Sequence, residues 1–149
     1  MNKVYLACYH GRASKRWHRI CDGITKFFTR GKYSHCEIAV HLYGNRYKCY
    51  SSSYRDGGVR AKVMALDDSK WDLVPLDVSE MQVRQYFGAT RGAGYDLIGA
   101  LGCVAGLRQH PAKYFCSEWC FNAITGARDG LRVSPVMLDV FCKTREVKP

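Results

Sequence analysis

Residues 34–43, SHCEIAVHLY, constrain the fold more than any other stretch of the chain. Cys36, Ile38, Val40 and Leu42 fall on one side of a two-residue period, and His35, Glu37, Ala39 and His41 on the other. That period belongs to an extended strand, because successive side chains of a strand point to opposite faces. The expectation is a strand whose apolar face enters a core. Gly44, Asn45 and Arg46 form a turn, and residues 47–54 return as a second strand. Asp56, Gly57 and Gly58 supply the next turn. Residues 59–66 then read as a third meander strand and 71–76 as a fourth. Upstream, residues 3–9 (KVYLACY) are apolar, rich in β-formers and followed by His10 and Gly11, which marks one more strand.

The rest of the chain carries a helical period. In 14–30, Trp17, Ile20, Cys21, Ile24, Phe27 and Phe28 recur at three- and four-residue steps, with Gly31 placed as a C-cap. Residues 78–91 read as a helix capped by Ser79 or Asp77. The segment 92–106 holds five glycines among apolar residues and reads either as a closely packed small-residue helix or as an irregular loop. Residues 114–124 are helical and stop before Gly126. A last helix starts at Ser134 and Pro135, the first turn being where proline's missing amide proton costs little. Strand, helix, antiparallel sheet and then helices define an α+β domain. A length of 149 residues suits one such domain, 1–149, with a small antiparallel sheet packed by helices.

Lysine and arginine number 23 and aspartate and glutamate 13, a net charge of +10. That balance suits a polyanionic partner such as nucleic acid, an anionic membrane surface or a cell wall. The densest basic stretch, 12–30, is equally well explained as the solvated face of its helix. No helix-turn-helix, zinc-finger or RNA-recognition signature accompanies it, so no specific nucleic acid is expected. The longest uncharged runs are short and broken by glycine, so no transmembrane segment is expected. Residues 1–10 lack the apolar core and cleavage site of a secretory signal, which points to a cytoplasmic protein. In that setting the eight cysteines are expected as thiols, most of them packing atoms. None shows C-x-x-C spacing, and support for a metal site is weak.

Among the cysteines Cys116 stands apart, because it opens the helix CSEWCF. The unpaired amides and partial positive charge of a helix N-terminus stabilise a thiolate and an oxyanion formed beside it. Cys120, one turn later, fits a buried packing role, and taken alone Cys116 does too. His35 begins the alternating strand on its polar face, with Glu37 two residues on and about 6.5–7 Å away at Cα. A carboxylate can bridge that gap to orient an imidazole base. The competing reading makes His35, Glu37 and His41 the solvent face of an edge strand.

The segments SHCEI (34–38), YSSSYRDGGVR (50–60), GYDLIG (94–99) and FCSEW (115–119) occur in that order, with SPVML (134–138) closing the series. This series resembles the circularly permuted papain-like thiol hydrolases related to NlpC cell-wall peptidases, and among them the small bacteriophage proteins. In the permuted group the histidine strand precedes the cysteine helix, as here. The resemblance spans about 34–138. It implies a papain-like fold with Cys116 as nucleophile, His35 as general base and Glu37 as orienting residue. In much of the wider family the orienting group lies on the following strand, which makes Ser51 the runner-up. Tyr95 reads either as a cleft residue offering its hydroxyl to the oxyanion or as a packing residue, and Asp96 as support for a helix turn. Arg60 and Trp71 are equally explained by substrate binding and by packing. The implied activity is cofactor-free and metal-free acyl hydrolysis of a peptide, isopeptide or cell-wall amide, in the host cytoplasm if the chain is phage-encoded. Two other readings stand beside it. One is a lipid acyltransferase or phospholipase, with 92–106 as its membrane-facing segment. The other is a phage protein that acts by binding a host protein.

Overall fold

In the computed structural model, which describes residues 2–11, 32–96, 113–127 and 133–146, the first described elements are five long strands, the second to fifth of them joined by short connections. The strands are β1 (Val4–Tyr9), β2 (His35–Tyr43), β3 (Arg46–Ser53), β4 (Gly58–Ala65) and β5 (Trp71–Leu76). Helix α1 (Glu80–Thr90), the two-residue strands β6 (Gly94–Tyr95) and β7 (Lys113–Tyr114), and helices α2 (Cys116–Thr125) and α3 (Pro135–Glu146) complete the described elements. The fold class is α+β, as the sequence predicts. The expected helix over 14–30 with its Gly31 cap, and most of the glycine-rich 92–106, lie outside the described residues.

The seven strands form one curled sheet in the order β5-β1-β2-β3-β4-β6-β7. Two expectations are corrected here. The sheet is mixed rather than antiparallel, because β6 and β7 pair in parallel. Residues 71–76 are not the fourth strand of a meander. They cross to the far side and pair with β1 from Val4 opposite Leu76 to Tyr9 opposite Trp71. Periodicity says that a segment is extended but not which edge it joins. Here β1 has one edge filled by β2, from Val4 opposite Val40 to Tyr9 opposite His35, and β5 satisfies the backbone groups of the other. The edge of β4 is met instead at Gly58, where a side chain is impossible. A Cβ there would lie 2.0 Å from the Ala93 carbonyl oxygen.

Alternation sorts the core into two layers. Leu6, Cys8, Cys36, Ile38, Val40 and Tyr50 point to the face covered by α2 and α3, where they meet Trp119, Cys120, Leu138 and Cys142. Ala7, Ala39, Tyr47, Cys49 and Leu66 form a smaller cluster on the opposite face, with Tyr5, Trp71 and Leu73 packed around it. The polar face of β2 is therefore not outward-looking: Ala39 is fully buried and Glu37 only 1% exposed. Both faces are covered because the sheet curls and carries large aromatic side chains on its second face.

Helix α2 is the central element. Every residue from Cys116 to Ile124 is buried, as expected of a helix enclosed on all sides. Its ends are fixed by contacts from α1. The Trp119 indole Nε1–H donates to Thr90 Oγ1 at 2.9 Å, and Gln82 Nε2 donates to the carbonyls of Ala123 and Ile124 at 2.9 and 3.2 Å. Gly126, with φ of 73°, closes the C-terminus in the left-handed conformation. Helix α1 is capped by Ser79, whose Oγ accepts the Gln82 N–H, and not by Asp77. Tyr114 lies in β7 rather than in the helix that the sequence predicts from 114 onward. Cys116 is thus the first helical residue.

Candidate active site

The residue before α2, Phe115, occupies the N-cap with extended backbone (φ −97°, ψ 167°) and has no side-chain oxygen with which to cap the helix. Serine or aspartate at this position would consume an amide of the first turn. Phenylalanine leaves that amide uncapped beside the Cys116 sulfur. Glu118, two residues into the helix, reaches back and accepts the Phe115 N–H, which is one half of a capping box. Burial, with the nearby Asp96 carboxylate adding to it, pushes the Glu118 carboxyl up to about 7.

Cys116 is 5% exposed, and its thiol is held well below the usual range. The largest cause is a hydrogen bond from the Cys36 thiol; burial opposes it, and the His35 imidazolium reinforces it. Cys36 itself is pushed up by burial and stays a thiol. His35 and Cys116 act on each other. Burial disfavours the charged ring, but the thiolate and then Glu37 outweigh it and push the imidazole up to about 10. Strand alternation alone would set His35 on the face away from α2. As the first residue of β2, however, it stands at the open end of the strand, where the α2 N-terminus meets it.

The Nε2 of His35 lies 3.1 Å from Glu37 Oε1. Burial opposes ionisation of Glu37, but Arg60 and then His35 hold its carboxyl down at about 2. An ionised carboxylate only accepts, so Nε2 carries the proton of this bond. Arg60 grips the same carboxylate as a fork, Nη1 donating to Oε2 and Nη2 to Oε1, each at 2.6 Å. Its Nε donates to Asp56 Oδ2 at 2.9 Å, and Lys62 also pairs with Asp56. The chain of contacts runs Cys116, His35, Glu37, Arg60, Asp56.

The structure thus brings Cys116, His35 and Glu37 together. Ser51 does not reach the imidazole. It is fully buried, and its hydroxyl donates to the Cys36 carbonyl at 2.8 Å. It stands directly opposite Arg60 in the β3–β4 register, and its small side chain leaves the arginine room to cross β3 to Glu37. Tyr95 is half-buried, with its ring edge-on to Tyr54 at 5.9 Å between centroids. Trp71 packs on Tyr9 at 5.0 Å, a core contact of the second face. The residue that sequence reasoning undervalued is Arg60, together with Asp56, read there only as turn chemistry. Strand parity held the signal: Glu37, Ser51 and Arg60 share one face of three adjacent strands, with the smallest side chain in the middle.

Among the described residues no group of three or more His, Cys, Asp or Glu side chains is arranged to hold a metal ion. No helix among them is long and apolar enough to cross a membrane. No protein-family model matches the chain, and no curated protein matches it at a significant level.

Proposed function

We propose that the protein is a cysteine-dependent acyl hydrolase, an amidase or peptidase acting on a peptide, isopeptide or cell-wall amide. The observation that carries this reading is the Cys116 sulfur at an uncapped helix N-terminus, coupled to His35, whose other ring nitrogen is held by Glu37. The order of histidine strand and cysteine helix supports the permuted papain-like arrangement that the sequence resembles. The net charge of +10 suits a substrate carried on an anionic polymer such as a cell wall.

The chemistry follows from the charges. Cys116 and His35 rest as thiolate and imidazolium. The sulfur attacks the substrate carbonyl, and the oxygen that gains the electron pair is met by first-turn amides of α2. Protonated His35 gives its Nδ1 proton to the departing amine, the C–N bond breaks, and a thioester remains on Cys116. Neutral His35 then takes a proton from water, the hydroxide adds to the thioester, and the acid product leaves as the thiolate and imidazolium return. Glu37 stabilises the imidazolium throughout and keeps the ring from turning.

The test is labelling of the folded protein with a thiol-reactive acyl probe followed by peptide mapping. We expect Cys116 to be modified at least about tenfold faster than Cys120 at neutral pH, because thiolate fraction governs the rate. Cys116→Ala removes little volume and should melt near the wild-type temperature while losing all hydrolysis. A variant that melts normally and keeps the full biological effect would overturn the proposal in favour of action by binding. Turnover of lipid esters but not of amides would redirect it to the lipid acyltransferases.

A further inference from the structure

We propose that Arg60 is a positioning residue that selects the tautomer of His35. It keeps Glu37 a carboxylate able only to accept, so the ring proton sits on Nε2 and Nδ1 is left to exchange a proton with Cys116. The inference rests on the hydrolase reading above and adds a residue to it.

The argument begins with the isolation of Glu37. Its side chain is only 2% exposed, so water does not stabilise its charge. Among the described residues the ionisable groups facing it are His35 on its own strand, Cys49 from β3 and Arg60 from β4. Burial pushes the Cys49 thiol up, so Arg60 is the permanent cation of the set. A carboxyl this buried and without that cation keeps its proton. Protonated, it becomes a donor and offers O–H to Nε2. The ring proton then moves to Nδ1, which can no longer accept from the thiol. The geometry that prevents this is the fork, two parallel bonds at 2.6 Å occupying both carboxylate oxygens. Arg60 is itself fixed from behind, since Asp56 takes its Nε–H and is held by Lys62. The guanidinium therefore sits between two carboxylates with its plane set, an arrangement that lysine cannot reproduce.

The experiment compares wild type, Arg60→Met and Arg60→Lys by two readouts. One is the rate of Cys116 alkylation by iodoacetamide from pH 4 to 10, followed by mass spectrometry. The other is the nitrogen NMR spectrum of His35, which reports the protonated ring nitrogen directly. In Arg60→Met we expect alkylation at pH 7 to fall about tenfold or more, the acid limb to move up by at least about one pH unit, and the ring, protonated at both nitrogens in the resting wild type, to keep its proton on Nδ1 alone. The rate should recover at higher pH as Glu37 ionises. Arg60→Lys keeps the charge but not the fork, so the same limb should move by about half a unit and the rate by about threefold. Superimposable profiles and an Nε2 proton in the folded variants would overturn the proposal. If Arg60→Met does not fold, Arg60→Lys decides alone, and the absence of any shift in it overturns the proposal. Should wild-type Cys116 react no faster than Cys120, the hydrolase reading fails, while the nitrogen spectra still judge the role of Arg60.

Discussion

Two histidine–carboxylate pairs sit at the same end of the sheet, at the tips of adjacent strands. His35 Nε2 lies 3.1 Å from Glu37, and His10 Nε2 lies 3.5 Å from Asp72. The inner carboxylate is dry and is held by a guanidinium fork. The outer one is about one-third exposed and is shared with the Lys32 ammonium at 2.6 Å and the Tyr33 hydroxyl at 2.5 Å. Both carboxyls are held below their usual range, Asp72 mainly by Lys32 and Tyr33, Glu37 by Arg60 and His35 against the penalty of burial. The pairs differ in what surrounds them. In low dielectric each charge must be matched, so the state of Glu37 is coupled to that of His35, and through it to Cys116. At Asp72 solvent screens the same interactions, and each partner acts nearly alone. A histidine beside a carboxylate is therefore not a site in itself. Burial and a coupled thiol turn one into chemistry.

The sharpest way to break this comparison is to remove each imidazole in turn. His35→Ala should lower hydrolysis by about 10²–10⁴-fold, the range for a general acid–base residue. His10→Ala should leave the rate within about twofold, because a solvent-screened pair contributes little. Equal losses, read as kcat/KM on any amide substrate that the labelled enzyme turns over, would erase the distinction.

The carboxylates come next. Glu37→Gln leaves Arg60 buried without its main counter-charge and should cost about 3–5 kcal/mol of stability, with a partial loss of rate. Asp72→Asn should cost about 1 kcal/mol or less. Chemical denaturation at pH 7 measures both.

The acid dependence sharpens the same contrast. Glu37, held at about 2, contributes stability that is fully present above its unfolded range near about 4.3 and is lost as pH falls through about 2. Melting temperature should therefore drop between pH 4 and 2 in the wild type. Glu37→Gln should remove more of that slope than Asp72→Asn does.

The smallest effect concerns Glu118, a buried carboxyl that no guanidinium among the described residues holds. Its folded value of about 7 lies above the unfolded one, so it costs stability as pH rises from about 4.5 through about 7. Glu118→Gln keeps a group able to accept the Phe115 N–H and should raise stability by about 1 kcal/mol at pH 8, with no gain at pH 4. Equilibrium unfolding at the two pH values checks the sign.

Much of the sheet was legible because strand period is local. Lys48, Cys49 and Tyr50 alternate whatever their partners, and the bounds of β2 and β3 follow within one residue of those expected. Helix α2 and its stop before Gly126 were also readable from helical spacing, although the helix starts at Cys116 and not at Tyr114. The partner of β5 was not, because any strand edge offers the same backbone groups. Nor was the burial of Glu37, since a polar parity reads as solvent-facing until a second layer is known to cover it.

What the sequence determined by itself was the set of local states: which residues are extended, which are helical, and that a thiol opens a helix while an imidazole opens a strand. Spacing and parity encode these because neighbouring residues impose them on one another. Only the tertiary structure decided that the two openings meet and that Arg60 crosses Ser51 to reach Glu37. Those contacts join residues 23 to 81 positions apart, Glu37 to Arg60 and His35 to Cys116, and they arise from how the sheet curls and what it excludes from water. The dielectric of the site, which sets every charge in it, is a property of that enclosure and of no single residue.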